Sequence, residues 1–143
     1  MPLEEVPKTG DELVFNSSLF ACDPILRAGH EPECIEYRDD LSNNISGPFL
    51  FWGPYVTLGP GTYLIWINGK LSGNLTLELA CERGEMILKE YTISDLNSPI
   101  CLVLTSIAKD LELRAIKSDM TQLFTLESVS IRCAYAPPAQ TAS

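Results

Sequence analysis

Seven residues of the 143-residue chain have types and spacing suited to holding an uncharged polar ligand: Trp52, Tyr55, Trp66, Tyr37, Arg38, Asp39 and Asp40. A flat indole or phenol ring can stack on the apolar C–H face of a sugar while its N–H or O–H orients the ligand. The second group, Tyr37–Asp40, adds a guanidinium and carboxylates, and Asn43 and Asn44 supply amides just beyond. Such groups hydrogen-bond vicinal hydroxyls in plane. Stacking of this kind needs little charge, which suits a chain whose net charge is −9.

Each candidate has a plainer alternative. Period two along Tyr63–Ile67 puts Tyr63, Ile65 and Ile67 on one face, with Leu64 and Trp66 on the other. Trp66 then stands on an outer or concave sheet face, or it packs under a loop or a second layer. Trp52, beside Gly53-Pro54, is a rim residue or a corner plug. Arg38, Asp39 and Asp40 orient a ligand, or pair locally on a solvated loop. Glu78, Glu112 and Arg114 lie on alternating strands and read as solvent-face charges.

Other chemistry finds less support. An acidic chain of pI about 4.5 lacks the basic footprint that nucleic acid or an anionic membrane surface requires. No apolar run approaches a membrane span, so no membrane insertion is expected. The five cysteines, Cys22, Cys34, Cys81, Cys101 and Cys133, include no CxxC, and His30 is the single histidine, which disfavours zinc. Cys22 and Cys34 flank a loop and would pair in an oxidising compartment. The N-terminus shows no export signal, so reduced thiols and a cytoplasmic location, or a domain cut from a longer protein, are expected. Three Asn-x-Ser/Thr sequons, at Asn16, Asn44 and Asn74, matter only in a secretory setting. Asp39-Asp40 offers two oxygens to calcium without a paired calcium motif, and no cofactor is expected. Glu33, Glu36, Asp39 and Asp40 do not form a recognisable acid–base pair, and His30 lies in a loop, so a binding module is favoured over an enzyme.

The elements that must position these residues are strands. Asn74–Cys81 and Leu111–Ile116 alternate apolar and polar residues, and strand-like runs recur every eight to twelve residues between turn signals. This predicts one all-β domain over residues 11–135, an antiparallel β-sandwich, with an arm at 1–10 and a linker-like tail at 136–143. Short strands are predicted at Glu12–Phe15, Ser18–Cys22, Glu33–Arg38 and Phe49–Trp52. Gly53-Pro54, Gly59-Pro60-Gly61, Asn68–Gly73 and Lys117–Thr121 are predicted as turns or loops that separate strands. The central block divides into a core set, Phe49, Phe51, Tyr63, Ile65 and Ile67, and a ligand set, Trp52, Tyr55 and Trp66.

The run Gly53-Pro54-Tyr55-Val56-Thr57-Leu58 followed by Gly59-Pro60-Gly61-Thr62-Tyr63, the strand with Leu75, Leu77 and Leu79, and the closing strands Leu111–Arg114 and Val129–Ile131 resemble carbohydrate-binding-module-like β-sandwiches of the galactose-binding, jelly-roll type. Modules of this sort are fused to bacterial glycosyltransferases and sugar-processing enzymes. The resemblance covers residues 47–133 and implies a lectin-like fold and a glycan or oligosaccharide partner, with a fused enzyme domain or a homo-oligomer as further partners. It does not transfer a ligand site. The alternative expectation is a structural or assembly domain whose aromatics anchor protein–protein contacts within a polysaccharide-synthesis or cell-surface complex.

Overall fold

The computed structural model describes residues 7–27, 34–45 and 47–137. Among these there is no α-helix; seven strands form one antiparallel sheet. They are β1 (Glu12–Asn16), β2 (Ile35–Arg38), β3 (Phe49–Leu58), β4 (Gly61–Cys81), β5 (Met86–Ile93), β6 (Ile100–Leu104) and β7 (Ala108–Tyr135). The all-β, sandwich-like architecture agrees with the alternation in the sequence.

The frame is a ribbon of two long strands. β4 has 21 residues and β7 has 28, and they pair from Thr62↔Tyr135 to Ala80↔Glu112. On one half of the ribbon β6 borders β4, while β1 and β2 border β7. On the other half β5 borders β4 and β3 borders β7. The inward side chains of both halves, among them Tyr63, Ile65, Phe124 and Val129 from one and Leu75, Leu77, Leu113 and Phe51 from the other, make a single buried cluster. Burying apolar surface at about 25 cal/mol per Å² makes this cluster the main source of stability.

Two predicted breaks lie inside these strands. Asn68–Gly73 continues β4, and Lys117–Thr121 continues β7. The register shifts at Asn68/Gly69 and on both sides of Gly73, so these glycines serve as irregularities in a continuous ribbon. Between Gly73↔Thr121 and Leu75↔Lys117 the partner strand advances four residues against two, and the surplus bulges out. The Ser118 hydroxyl bonds Asn74 Oδ1 at 2.8 Å, and Met120 N–H donates to Ser118 Oγ at 3.1 Å. The turn-forming residues are there, but they shape a bulge.

Gly53-Pro54 likewise stays within β3, joined by a cis peptide bond. Ser18–Cys22 is not a strand: Ser17–Leu19 forms a 3-10 turn, and only Ala21 bridges to the sheet, opposite Trp52. Pro24–Arg27 is a second 3-10 turn, and Asp39–Leu41 a third. The described part of the N-terminal arm is tied to the end of β7, with Gly10 N–H on the Cys133 carbonyl at 2.8 Å and Ala136 N–H on Thr9 Oγ1 at 2.8 Å. Among the described residues no helix is long and apolar enough to cross a membrane, and all five thiols are free.

Tyr63 is fully buried and donates its hydroxyl to the Gly59 carbonyl at 2.8 Å. Burial, with the Cys133 thiol beside it, pushes its pKa up from 10.0 to about 12. Between those values the unfolded chain loses this proton first, so stability falls as pH rises through the window. Tyr63→Phe should flatten that alkaline loss in denaturant titrations. An ordinary tyrosinate titration for Tyr63 in the folded protein would contradict the assignment.

Candidate functional site

The site grows from two bulges in β3. Phe49 faces Ile116 and Phe51 faces Ala115, so Leu50 is an extra residue and the alternation resets. Leu50 and Phe51 both point inward, fully buried. Phe49, predicted for the core, is therefore half-buried on the outer face with Trp52. Their rings meet edge to face with centroids 6.4 Å apart. Such a contact fixes the indole without hiding it.

The second bulge is Tyr55, the extra residue between Pro54↔Glu112 and Val56↔Leu111. Its φ of 67° lies in the left-handed region, sparsely used by side chains of this size. The bulge re-aims the ring so that its hydroxyl donates to Glu112 Oε2 at 3.0 Å. Burial, and then the bond to Glu112, raise the phenol's pKa.

Across the strands, Trp52 faces Arg114, and Arg114 faces Glu78. The guanidinium pairs with Glu78, contacts Glu112 at 3.8 Å and lies 5.6 Å from the centre of the Phe49 ring. Predicted as solvent-face charges, Glu78 and Glu112 are only 7% and 4% exposed. The reason is the β4–β5 turn, which folds back over them. Glu82 N–H bonds the Lys109 carbonyl at 2.7 Å and Arg83 pairs with Asp110 at 3.5 Å. Gly84 then approaches so closely that a Cβ there would lie 3.1 Å from Arg114 Nη1. Arg114 Nε is buried without a hydrogen-bond partner.

Beside this cluster, Trp52 and Phe49 line a concavity of about 120 Å³ with Asp23, Ile45 and Gly47. Asp23 is held by its own turn: Ile25 N–H donates to Asp23 Oδ1 at 3.2 Å and Leu26 N–H to the Asp23 carbonyl at 3.0 Å. Arg27 anchors the segment by donating to the Ser17 and Phe20 carbonyls. Paired backbone bonds between Ala21 and Trp52, 2.8 and 2.9 Å, attach it to β3. An indole, a phenyl edge and a carboxylate thus share one small open hollow.

The remaining predicted site residues lie elsewhere. Tyr37 is 1% exposed and belongs to the core, because β2 pairs it with Phe124 and turns its ring inward; this corrects its place in the ligand set. Arg38 contacts Asp40 at 3.6 Å and Glu36 at 4.0 Å, an exposed local pairing. Neither Arg38 nor Asp39 nor Asp40 lines the hollow; its carboxylate comes from Asp23. Trp66 stands on the outer face of the other half of the ribbon, opposite Ser130, so the two tryptophans serve different surfaces. His30 and Glu33 lie outside the described residues. Asp23, Phe49 and Arg114 were not legible as site residues: the Leu50 bulge turns Phe49 to the face of Trp52, the β3–β7 register sets Arg114 opposite it, and the Ala21–Trp52 bridge brings Asp23 alongside.

Glu78 and Glu112 converge on one guanidinium beneath a covering turn, whereas glycoside hydrolysis needs two carboxyl groups open to the substrate. Burial raises the thiols of Cys22, Cys34, Cys81 and Cys133, the opposite of an activated nucleophile. No group of three or more metal-ligating side chains occurs among the described residues. A larger concavity, about 550 Å³, lies between β5 and β6. It is lined by no tryptophan, and its one aromatic ring, Tyr91, spends its hydroxyl on the Cys101 carbonyl at 2.9 Å. The Trp52 hollow is smaller but holds the better stacking surface.

The fold defines the chain as an all-β, sandwich-like protein. No protein-family model matches it, and neither a curated protein nor a solved structure shows significant similarity to it.

Proposed function

We propose that the chain is a non-catalytic carbohydrate-binding module that stacks one sugar of a glycan on Trp52. The observation that carries this is the hollow formed by Trp52, Phe49 and Asp23, which joins a fixed aromatic surface to a carboxylate that accepts hydrogen bonds from hydroxyl groups. An uncharged glycan is compatible with a chain of net charge −9. The bacterial sugar-processing context suggested by the resemblance belongs to this reading.

Glycan-array screening followed by calorimetry tests it. Trp52→Ala should weaken binding by about tenfold or more, since a buried side chain of this kind contributes about 1.5–3 kcal/mol. Asp23→Asn should weaken binding less and leave the thermal transition in place. Failure to bind any oligosaccharide, or binding that ignores Trp52→Ala, would sink the reading.

A second reading, an assembly domain, is favoured by a different observation. On the outer face around Trp66, Val14 and Val103 are exposed apolar residues.

A further inference from the structure

The Trp52 hollow carries charge of one sign. Two rings, Trp52 and Phe49, line it with Ile45, Gly47 and Asp23. Among the described residues Asp23 is the one charged residue in that lining. At about 120 Å³ the hollow falls below the roughly 300–1,000 Å³ of pockets that enclose a whole small ligand. It therefore takes one sugar ring at most, and a ring stacked on Trp52 lies within reach of the Asp23 carboxylate. A carboxylate accepts along about four lone-pair directions, so the bond from Ile25 N–H to Asp23 Oδ1 is compatible with a further donor from a ligand.

The neighbouring charges reinforce that sign. Arg114 lies 5.6 Å from the centre of the Phe49 ring, but both Glu78 and Glu112 contact it, so the three together have a net negative formal charge. Arg27, from the same segment as Asp23, donates to the Ser17 and Phe20 carbonyls and does not line the hollow. Counting Arg27 and Asp23 with the Arg114 cluster still leaves the surroundings net negative, and the whole chain carries −9. The hollow therefore attracts a cation and repels an anion. A cation close to an indole face is also held by the ring quadrupole.

From these features we infer that the sugar on Trp52 is an amino sugar with an unacetylated amine, its ammonium meeting Asp23 while a C–H face rests on the indole. The inference rests on the carbohydrate-binding reading and narrows its ligand. Against a hydroxyl sugar of the same shape, the ammonium adds a partly exposed ion pair and a cation–π contact, together about a tenfold gain in affinity. N-acetylation removes the charge and both contributions with it. A uronic acid sets carboxylate against carboxylate and binds more weakly than the neutral sugar.

Calorimetry on the full chain tests this with tetramers of glucosamine, N-acetylglucosamine and glucose in one linkage, which differ only in bearing an amine, an acetamide or a hydroxyl. The pH is set between the carboxylate and amine titrations. The glucosamine tetramer should bind about tenfold tighter than the other two, and added salt should narrow the gap. Asp23→Asn should erase the gap while the glucose tetramer keeps most of its affinity, which also reports an intact fold. Glu90→Gln, an exposed carboxylate on β5, should leave the gap in place. Tetralysine, a cation without a sugar ring, should bind far more weakly than the glucosamine tetramer. Equal affinity for the three tetramers, lost on Trp52→Ala, overturns the inference and leaves the carbohydrate-binding reading standing. A preference that survives Asp23→Asn, or that tetralysine shares, is general attraction to an acidic chain and overturns it as well. If no tetramer binds, the inference falls, and the glycan array decides the parent reading separately.

Discussion

Arg114→Ala is expected to destabilise the protein by about 3–5 kcal/mol, the cost of stranding buried charge. Glu78 and Glu112 are both nearly inaccessible, and Arg114 is the cation both contact. Removing it leaves two carboxylates facing each other's charge beneath the Glu82–Glu85 turn, with the Tyr55 hydroxyl as the remaining donor to Glu112. Denaturant unfolding should show a lowered midpoint with an unchanged slope. The charged cluster need not be stabilising overall, because desolvation offsets much of its attraction. Replacing all three together, with Arg114→Met, Glu78→Met and Glu112→Leu, should therefore recover most of the loss. A loss below about 1 kcal/mol for Arg114→Ala would place the pair in the range of solvated surface bridges and refute its buried character.

Gly73→Ala is the second large effect. A Cβ at Gly73 would lie 1.8 Å from the Met120 carbonyl oxygen and 3.1 Å from the Gln122 nitrogen, both main chain. The φ of 87° adds left-handed strain. No rotamer relieves a clash with backbone, so the β4–β7 ribbon must part where its register already shifts. The expected loss is at or above the usual overpacking range, about 3 kcal/mol. Gly47→Ala, where an added Cβ meets nothing within 4 Å, should be close to neutral. Paired thermal melts separate the two, and equal melting temperatures would refute the claim that Gly73 sets the ribbon's path.

Both effects bear on function through geometry. Arg114 lies beside Phe49 and across from Trp52, so a disturbed cluster should also loosen the indole. Variants at Arg114 should consequently be compared by binding as well as by stability.

The strands were legible because alternation is a local signal. Leu75, Leu77 and Leu79 read as one buried face and are fully buried. Tyr63, Ile65 and Ile67 likewise kept their predicted face, and Trp66 lies on the face opposite theirs, opposite Ser130. The breakers were legible as residue types but not by consequence. Glycine at 69 and 73 permits a close approach of Thr125 and Met120 just as it permits a turn, and a local reading cannot separate the two. The result was a ribbon of two long strands in place of five short ones.

The candidate site was only half legible. Trp52 and Tyr55 were visible as aromatics beside Gly53-Pro54. Phe49 joins Trp52 through the bulge at Leu50, Tyr55 reaches Glu112 through its own bulge, and Asp23 arrives through the Ala21–Trp52 bridge. Glu78, Arg114 and Glu112 showed the alternation of wet strands, and their burial comes from the β4–β5 turn, which folds back over them. The sequence by itself therefore determined the all-β class, the inward leucines and the aromatic block, because these follow from period-two alternation along one strand. Tertiary structure decided that Trp52 sits with Asp23, Phe49 and Arg114 while Trp66 sits with Ser130 and Val14. Cross-strand register is a relation between residues tens of positions apart, and no local period encodes it.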